Sequence, residues 1–341
     1  MLDDLKLIND RDKEDALGVA QKQWQQLSYR FDADISFTNI ENVVVSGMGG
    51  SALPAVFLRS WPELNVPLEI VRDYDIPKYV NQKTLFISCS YSGNTEETLT
   101  ALSKAETKQA KIVIVSAGGK LSDLAKAKDY PLYIIPSGIQ PRMSSFYFLA
   151  AYCQILEACQ LIDNDSTNKL RATAEWLKDQ HNDLLQTVPT STNPAKKLAL
   201  ELAGKSVVIY SGPKLFPVAN KFKICLNESS KNIAWVNQYP EFNHNEFMGW
   251  TSHPVDKPYA VVEIRSNLEN NRVLKRFEVS EQVLSGMRPS PEVIMPNGET
   301  LPEQLLWTSI FCDFVSIYLA VLNGVDPTPV KQVERLKQML G

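Results

Sequence analysis

Five short runs of apolar residues, at 43–46, 68–71, 84–88, 112–115 and 132–135, punctuate the early part of the chain. Helix-period segments begin between them, near Ser51, Thr95 and Leu121. The runs are continuous rather than alternating, so each reads as a strand buried on both faces. Strands of that kind, separated by helices, run parallel. The pattern predicts a doubly wound α/β unit of flavodoxin-like type. Upstream, Ala16, Val19, Ala20, Trp24 and Leu27 share one helical face and predict a helix over 11–30. A helix from about Arg142 to Leu161 closes the unit, and the polar, turn-rich stretch 162–168 reads as a linker. The expected domains are therefore 1–162 and 163–341.

The second half repeats the theme in weaker form. Helical runs are expected near 169–185 and 194–202, and strands at 206–211, 233–236, 259–264 and 292–295. A helix starts near Lys214, a long apolar helix is expected over 302–322, and a last amphipathic helix over 329–340. The strand-to-helix passages Val43-Val44-Val45-Ser46-Gly47 and Val207-Val208-Ile209-Tyr210-Ser211-Gly212 resemble one another, which suggests two related halves.

Composition narrows the function classes. The 341 residues are 44% hydrophobic and 22% charged, as in ordinary globular proteins. A net charge of −4 and no block of Lys or Arg argue against a nucleic-acid partner. No secretory pattern opens the chain, and no apolar stretch is expected to serve as a membrane span. The five cysteines, odd in number and in apolar contexts, read as buried thiols in a reducing cytoplasm.

Two loops carry the chemistry. Ser90-Tyr91-Ser92-Gly93-Asn94-Thr95 follows one strand and opens a helix, gathering hydroxyls and a glycine where unsatisfied N–H groups favour an anion. The plain alternative is a helix cap, with Asn94 at N-cap and Glu97 at N3. The other loop, Ser46-Gly47-Met48-Gly49-Gly50-Ser51-Ala52, also lies between a strand and a helix. Alone it satisfies Gly-x-Gly-x-x-Ala with Asp73 downstream, so a dinucleotide-dependent dehydrogenase is a rival. Two hydroxyl-bearing loops on neighbouring strand ends suit a compact phosphate monoester better than a pyrophosphate.

The pair Gly49-Gly50-Ser51 and Ser90-x-Ser92-Gly93-x-Thr95 resembles a sugar isomerase (SIS) domain. The resemblance extends to the bifunctional phosphoglucose/phosphomannose isomerases. It runs through Pro141-Arg142, Asn227-Glu228, the segment from Glu241 through His244 to Trp250, Gly324–Asp326–Pro327 and Leu336-Lys337. It implies two tandem SIS domains, a homodimer with active sites at the subunit interface, hexose 6-phosphate as substrate, and no metal or organic cofactor. It implies that Gly49, Gly50, Ser51, Ser90, Ser92 and Thr95 bind the phosphate. Glu228 is then the base that moves a proton between C2 and C1. His244, from the neighbouring subunit, and Lys337 open the ring.

The residues also have plainer readings. Glu228 projects between Ile224 and Cys225 on the apolar side of its helix, where a carboxylate is either paired or functional. Lys221 shares that arc and is the candidate ion-pair partner. Lys337 projects between Val330 and Val333 within an apolar arc, where it could merely snorkel. Arg142 suits an enediolate, because a planar, permanently charged group can face its developing charge; the plain reading is a helix-entry arginine. After it, Met143-Ser144-Ser145 departs from the small apolar residues the family leads one to expect. His181 and His253 read as structural or solvated, without metal spacing. The sequence therefore points to an aldose–ketose isomerase acting on glucose 6-phosphate, and on mannose 6-phosphate. The alternatives are a non-catalytic SIS sugar-phosphate sensor and an amino-sugar-phosphate isomerase.

Overall fold

A computed structural model describes residues 1–251 and 258–340, which fall into two compact units. One is Lys22–Trp176; the other joins Met1–Gln21 to Leu177–Gly341. These units do not coincide with 1–162 and 163–341. The N-terminal segment belongs with the C-terminal unit because its polar groups bond there. Asp3 accepts from the Thr190 N–H and hydroxyl, both at 2.7 Å, and Arg11 donates to the Val321 carbonyl. Residues 163–176 stay with the first unit, where Glu157 accepts from the Thr167 N–H at 2.7 Å.

The helix expected over 11–30 is broken. Helix α1 (Leu5–Arg11) ends at Asp12, whose buried carboxylate accepts from the N–H groups of Ala16 (2.7 Å) and Leu17 (2.9 Å). Those bonds cap a new helix, α2 (Ala16–Lys22), which runs into a 3-10 turn at Gln23–Ser28.

The first unit follows the sequence pattern closely. In order come β1 (Asn42–Ser46), α3 (Gly49–Phe57), β2 (Leu68–Val71), β3 (Thr84–Ser90), α4 (Glu96–Thr107), β4 (Lys111–Ser116), α5 (Gly119–Lys128), β5 (Leu132–Ile134), α6 (Ser145–Ala158) and α7 (Ser166–Leu177). The sheet is parallel, in the order β2-β1-β3-β4-β5. Every residue of β3 is buried, as befits a central strand covered on both faces. This order places the topological switch between β1 and β3, so a crevice opens at their carboxyl ends.

The second unit repeats the plan with four strands. It contains α8 (Pro194–Leu202), β6 (Ser206–Ser211), α9 (Phe216–Glu228), β7 (Ala234–Gln238), α10 (Glu246–Gly249), β8 (Tyr259–Ile264), α11 (Asn271–Val283), β9 (Glu292–Ile294), α12 (Leu301–Leu322) and α13 (Lys331–Leu340). The parallel order is β7-β6-β8-β9. Helix α12 packs between α8 and α9. By length and composition it could cross a bilayer, contrary to the expectation from the sequence that no stretch could, but 94% of its apolar window is buried inside the protein. It is the central core helix of this unit. All five cysteines are buried, as expected, and no disulfide joins any two of them among the described residues.

Candidate active site

The two hydroxyl loops of the first unit meet. Chain leaving β1 turns through Gly47 and Met48 into α3, and chain leaving β3 turns through residues 91–95 into α4. The Ser51 hydroxyl, on the first turn of α3, accepts the Tyr91 N–H at 2.9 Å and so joins one loop to the other. Within the second loop the Ser90 hydroxyl lies 2.8 Å from that of Thr95 and 3.4 Å from that of Ser92. It also accepts the Gly93 N–H at 3.1 Å. Ser51 and Ser90 are buried and Ser92 is exposed, so the hydroxyls run from the sheet edge out to solvent.

The cap alternative fails on geometry. The N-cap of α4 is Thr95, whose side chain makes no cap bond. Asn94 turns the other way, and its carbonyl oxygen accepts the Lys120 N–H at the start of α5, at 3.1 Å. Helix α3 likewise has no side-chain cap. Two helix starts thus converge on one corner, and neither N-cap side chain bonds the helix N–H groups, an arrangement that favours an anion.

Glycine is needed here for two separate reasons. Gly49 and Gly93 adopt positive φ, at 50° and 69°. Gly50 is needed for space: a Cβ there would lie 2.7 Å from the Arg142 nitrogen and 2.8 Å from the Pro141 carbonyl carbon. This contact sets Arg142 against the start of α3. Arg142 is buried, at 3% exposure, on the 3-10 turn Pro141–Ser144 that enters α6. The departure Met143-Ser144-Ser145 packs into the core: all three are buried, and the Ser144 hydroxyl donates to the Pro141 carbonyl at 2.7 Å. Sequence reasoning missed Ser116. It pairs with Ser90 in the β3–β4 register and donates to the Ser90 carbonyl at 2.7 Å. Its signal was a serine closing the neighbouring apolar strand.

In the second unit, Glu228 is the last residue of α9 and is half-buried. It lines a cleft of about 600 Å³ with Asn227, Trp235, Val330 and Val333. Lys221 is committed elsewhere: its ammonium is fully buried and bonds Asp313 at 2.5 Å and the Ser309 carbonyl at 3.1 Å. The Lys221 ammonium, the candidate ion-pair partner of Glu228, instead makes a bond from α9 to α12.

His244 is exposed on the 3-10 turn Glu241–His244. The turn is held by its neighbours. Glu246 accepts from the Tyr210 hydroxyl at 2.5 Å and the Asn237 amide at 2.7 Å, and Trp250 donates to Tyr210 at 3.0 Å. These anchors were also missed by sequence reasoning.

Lys337 departs from expectation. No residue of α13 is buried; Lys337 is exposed, as are Val333, Leu336, Met339 and Leu340. The apolar arc exists, but within its own unit it is not covered. His181 is structural: it is buried, and its Nδ1 lies 2.9 Å from the Leu177 carbonyl. His253 lies outside the described residues. Among the described residues, no cluster of three or more His, Cys, Asp and Glu could hold a metal.

Comparison with known proteins agrees with this layout. Residues 36–159 match the SIS domain family, and residues 191–340 match the C-terminal SIS domain of bacterial phospho-glucose isomerase. The bifunctional phosphoglucose/phosphomannose isomerase of Caldicellulosiruptor bescii is 32% identical over 320 residues, covering 92% of this chain and 94% of that protein. The chain belongs to the bifunctional phosphoglucose/phosphomannose isomerase family. A D-glucosamine-6-phosphate 4-epimerase from Sulfolobus acidocaldarius is also 32% identical, over 87% of this chain and 89% of that protein. The fold is shared with a glucose-6-phosphate isomerase-like protein from Thermus thermophilus, with a TM-score of 0.66 and 18% identity over 96% of this chain and 97% of that one. Membership of the isomerase family identifies the tandem units as two SIS domains.

Proposed function

We propose that this protein is an aldose–ketose isomerase that interconverts glucose 6-phosphate, and mannose 6-phosphate, with fructose 6-phosphate. The observation that carries the reading is the bond from the Tyr91 N–H to the Ser51 hydroxyl, which makes one corner of the two loops. Gly49, Gly50, Ser51, Ser90, Ser92 and Thr95 hold the phosphate there. Affinity for a group remote from C1 and C2 positions the carbons that react. The protein acts as a cytoplasmic homodimer whose active site is completed across the subunit interface, and it uses no cofactor.

His244 and Lys337 open the ring by moving a proton between O5 and O1. Glu228 then removes the C2 proton of the open-chain aldose. The electrons of that C–H bond form a C1–C2 double bond, and the C1 carbonyl oxygen takes the negative charge. Arg142 steadies the resulting cis-enediolate. Glu228 returns the proton to C1 as the O2 proton passes to O1, so that O2 becomes the ketone oxygen and O1 a hydroxyl. The two aldoses differ only at C2, which is planar in the intermediate, so one intermediate serves both.

The test is turnover of fructose 6-phosphate by wild type and Glu228→Gln. The expected result is retained binding with turnover reduced by orders of magnitude in the variant; in wild type, glucose 6-phosphate deuterated at C2 should give fructose 6-phosphate that carries part of the label at C1. Equal turnover in the two proteins would remove Glu228 from its role. Binding with no turnover in wild type would favour the sensor. Conversion of glucosamine 6-phosphate at C4, with fructose 6-phosphate untouched, would favour the activity named for the Sulfolobus relative.

A further inference from the structure

The second SIS unit contains a counterpart of the phosphate corner, and that counterpart is full. Strand β1 lies between β2 and β3, and β6 lies between β7 and β8, so β6 corresponds to β1 and β8 to β3. Registers agree: Ser46 pairs with Ser88, and Ser211 with Ile264. Two residues further on stand Ser90 and Ser266, and each hydroxyl accepts a backbone N–H from its own loop, Gly93 at 3.1 Å and Leu268 at 3.0 Å. Each loop ends in a helix N-cap, Thr95 for α4 and Asn270 for α11. Glu269 therefore sits in the loop that corresponds to the hydroxyl loop of the first unit.

Its side chain turns to the start of the neighbouring helix. The carboxylate accepts the Lys214 N–H at 2.7 Å, in the turn that leads from β6 into α9. That turn corresponds to the start of α3, where Ser51 stands. Glu269 is only 6% exposed. A Cβ on Gly212 would lie 2.3 Å from the carboxylate oxygen. Yet Gly212 has φ −75° and ψ 170°, a conformation open to any residue. What requires glycine at 212 is the carboxylate lying against it.

We infer that the second unit keeps the anion-binding corner of the SIS fold but fills it with the chain's own Glu269 carboxylate, so that each chain offers one sugar-phosphate site. The count of one rests on the phosphate reading proposed for the first unit; the filled corner does not. The internal anion also fastens the start of α9, whose last residue is Glu228.

The experiment uses the full chain without sugar phosphate. Melting temperatures are measured at pH 8 for wild type, Gly212→Ala, Glu269→Ala and the double variant. Gly212→Ala should lower the midpoint by several degrees in wild type and by almost nothing once Glu269 is alanine; equal losses in both backgrounds overturn the inference. Acetate should raise the midpoint of Glu269→Ala by a few degrees over chloride at the same ionic strength, and should leave wild type unmoved. Absence of that selective rise also overturns it. Should Glu269→Ala fail to fold, Glu269→Gln keeps the shape without the charge. It should melt a few degrees below wild type, and an equal midpoint refutes the internal anion. Calorimetric titration with fructose 6-phosphate should count one site per chain in wild type, and two sites would contradict the filled corner. The melting readouts contain no substrate, so failure of the isomerase reading, seen as unaltered turnover in Glu228→Gln, leaves them intact.

Discussion

Gly50→Ala tests whether the start of α3 and Arg142 form one rigid unit. The added methyl carbon would stand 2.7 Å from the Arg142 nitrogen, 2.8 Å from the Pro141 carbonyl carbon and 2.9 Å from the Arg142 Cα. All three are backbone atoms, so no side chain can swing aside. Ordinary contact begins near 3.4 Å, so α3 and the Pro141–Arg142 turn must separate by about 0.7 Å. Overpacking of this kind costs about 1–3 kcal/mol. In a unit of this size that lowers the melting temperature by about 2–10 °C. The functional loss should be larger in proportion, because the displaced groups are the phosphate corner and the arginine assigned to the enediolate. A shift approaching 1 Å can cost about 100-fold in rate. Gly49→Ala is the control for melting alone. Its Cβ meets open space, and only the positive φ of 50° opposes it, at about 1 kcal/mol. The assay is kcat/KM for fructose 6-phosphate together with thermal melting. If Gly50→Ala kept wild-type kcat/KM and melted no lower than Gly49→Ala, the argument that this close approach holds the site would be wrong.

Three further outcomes follow from the geometry. Ser92→Ala with Thr95→Ala removes two donors to the phosphate and should raise KM for fructose 6-phosphate by about tenfold or more, with little change in melting; an unchanged KM contradicts the phosphate corner. Asp313→Ala strands the buried Lys221 ammonium and should cost about 3–5 kcal/mol in urea unfolding, whereas Lys221→Met with Asp313→Leu should recover most of it; equal stability of Asp313→Ala and wild type would show the pair to be inconsequential. Burial holds the His181 imidazole below its ordinary value of 6.5, so the unfolded chain takes up that proton before the folded one does. Stability should therefore fall as pH drops below 6.5 towards the folded value, and His181→Gln should flatten melting temperature across that window; parallel profiles would exclude His181 as the source.

Much of the first unit was legible in the chain. Its central strands β1 and β4 carry Val and Ile runs and are buried almost throughout, so the strands and their parallel pattern followed from local composition; the edge strands β2 and β5 are only partly buried, and the order of strands in the sheet came from the fold. The loop residues were legible for the same reason: glycines and hydroxyls directly after such strands fall at the carboxyl edge of the sheet. The long apolar helix α12 showed its pattern as well, though only packing revealed that its hydrophobicity is spent on a protein core.

What local pattern could not supply were pairings between residues far apart in sequence. Asn94 looked like a cap for α4 because capping rules see only the next few residues, but folding brought Lys120 within its reach. Lys221 shares an arc of its helix with Glu228, which made an ion pair the plain alternative, but α12 placed Asp313 beside it. The first 21 residues joined the C-terminal unit because Asp3 and Arg11 found donors and acceptors there. Lys337 shares an apolar arc that its own unit leaves exposed. Periodicity fixes which residues share a face; only the return of distant chain decides what that face meets, because contact energies are short-ranged and loop closure, not sequence spacing, sets which groups come within range.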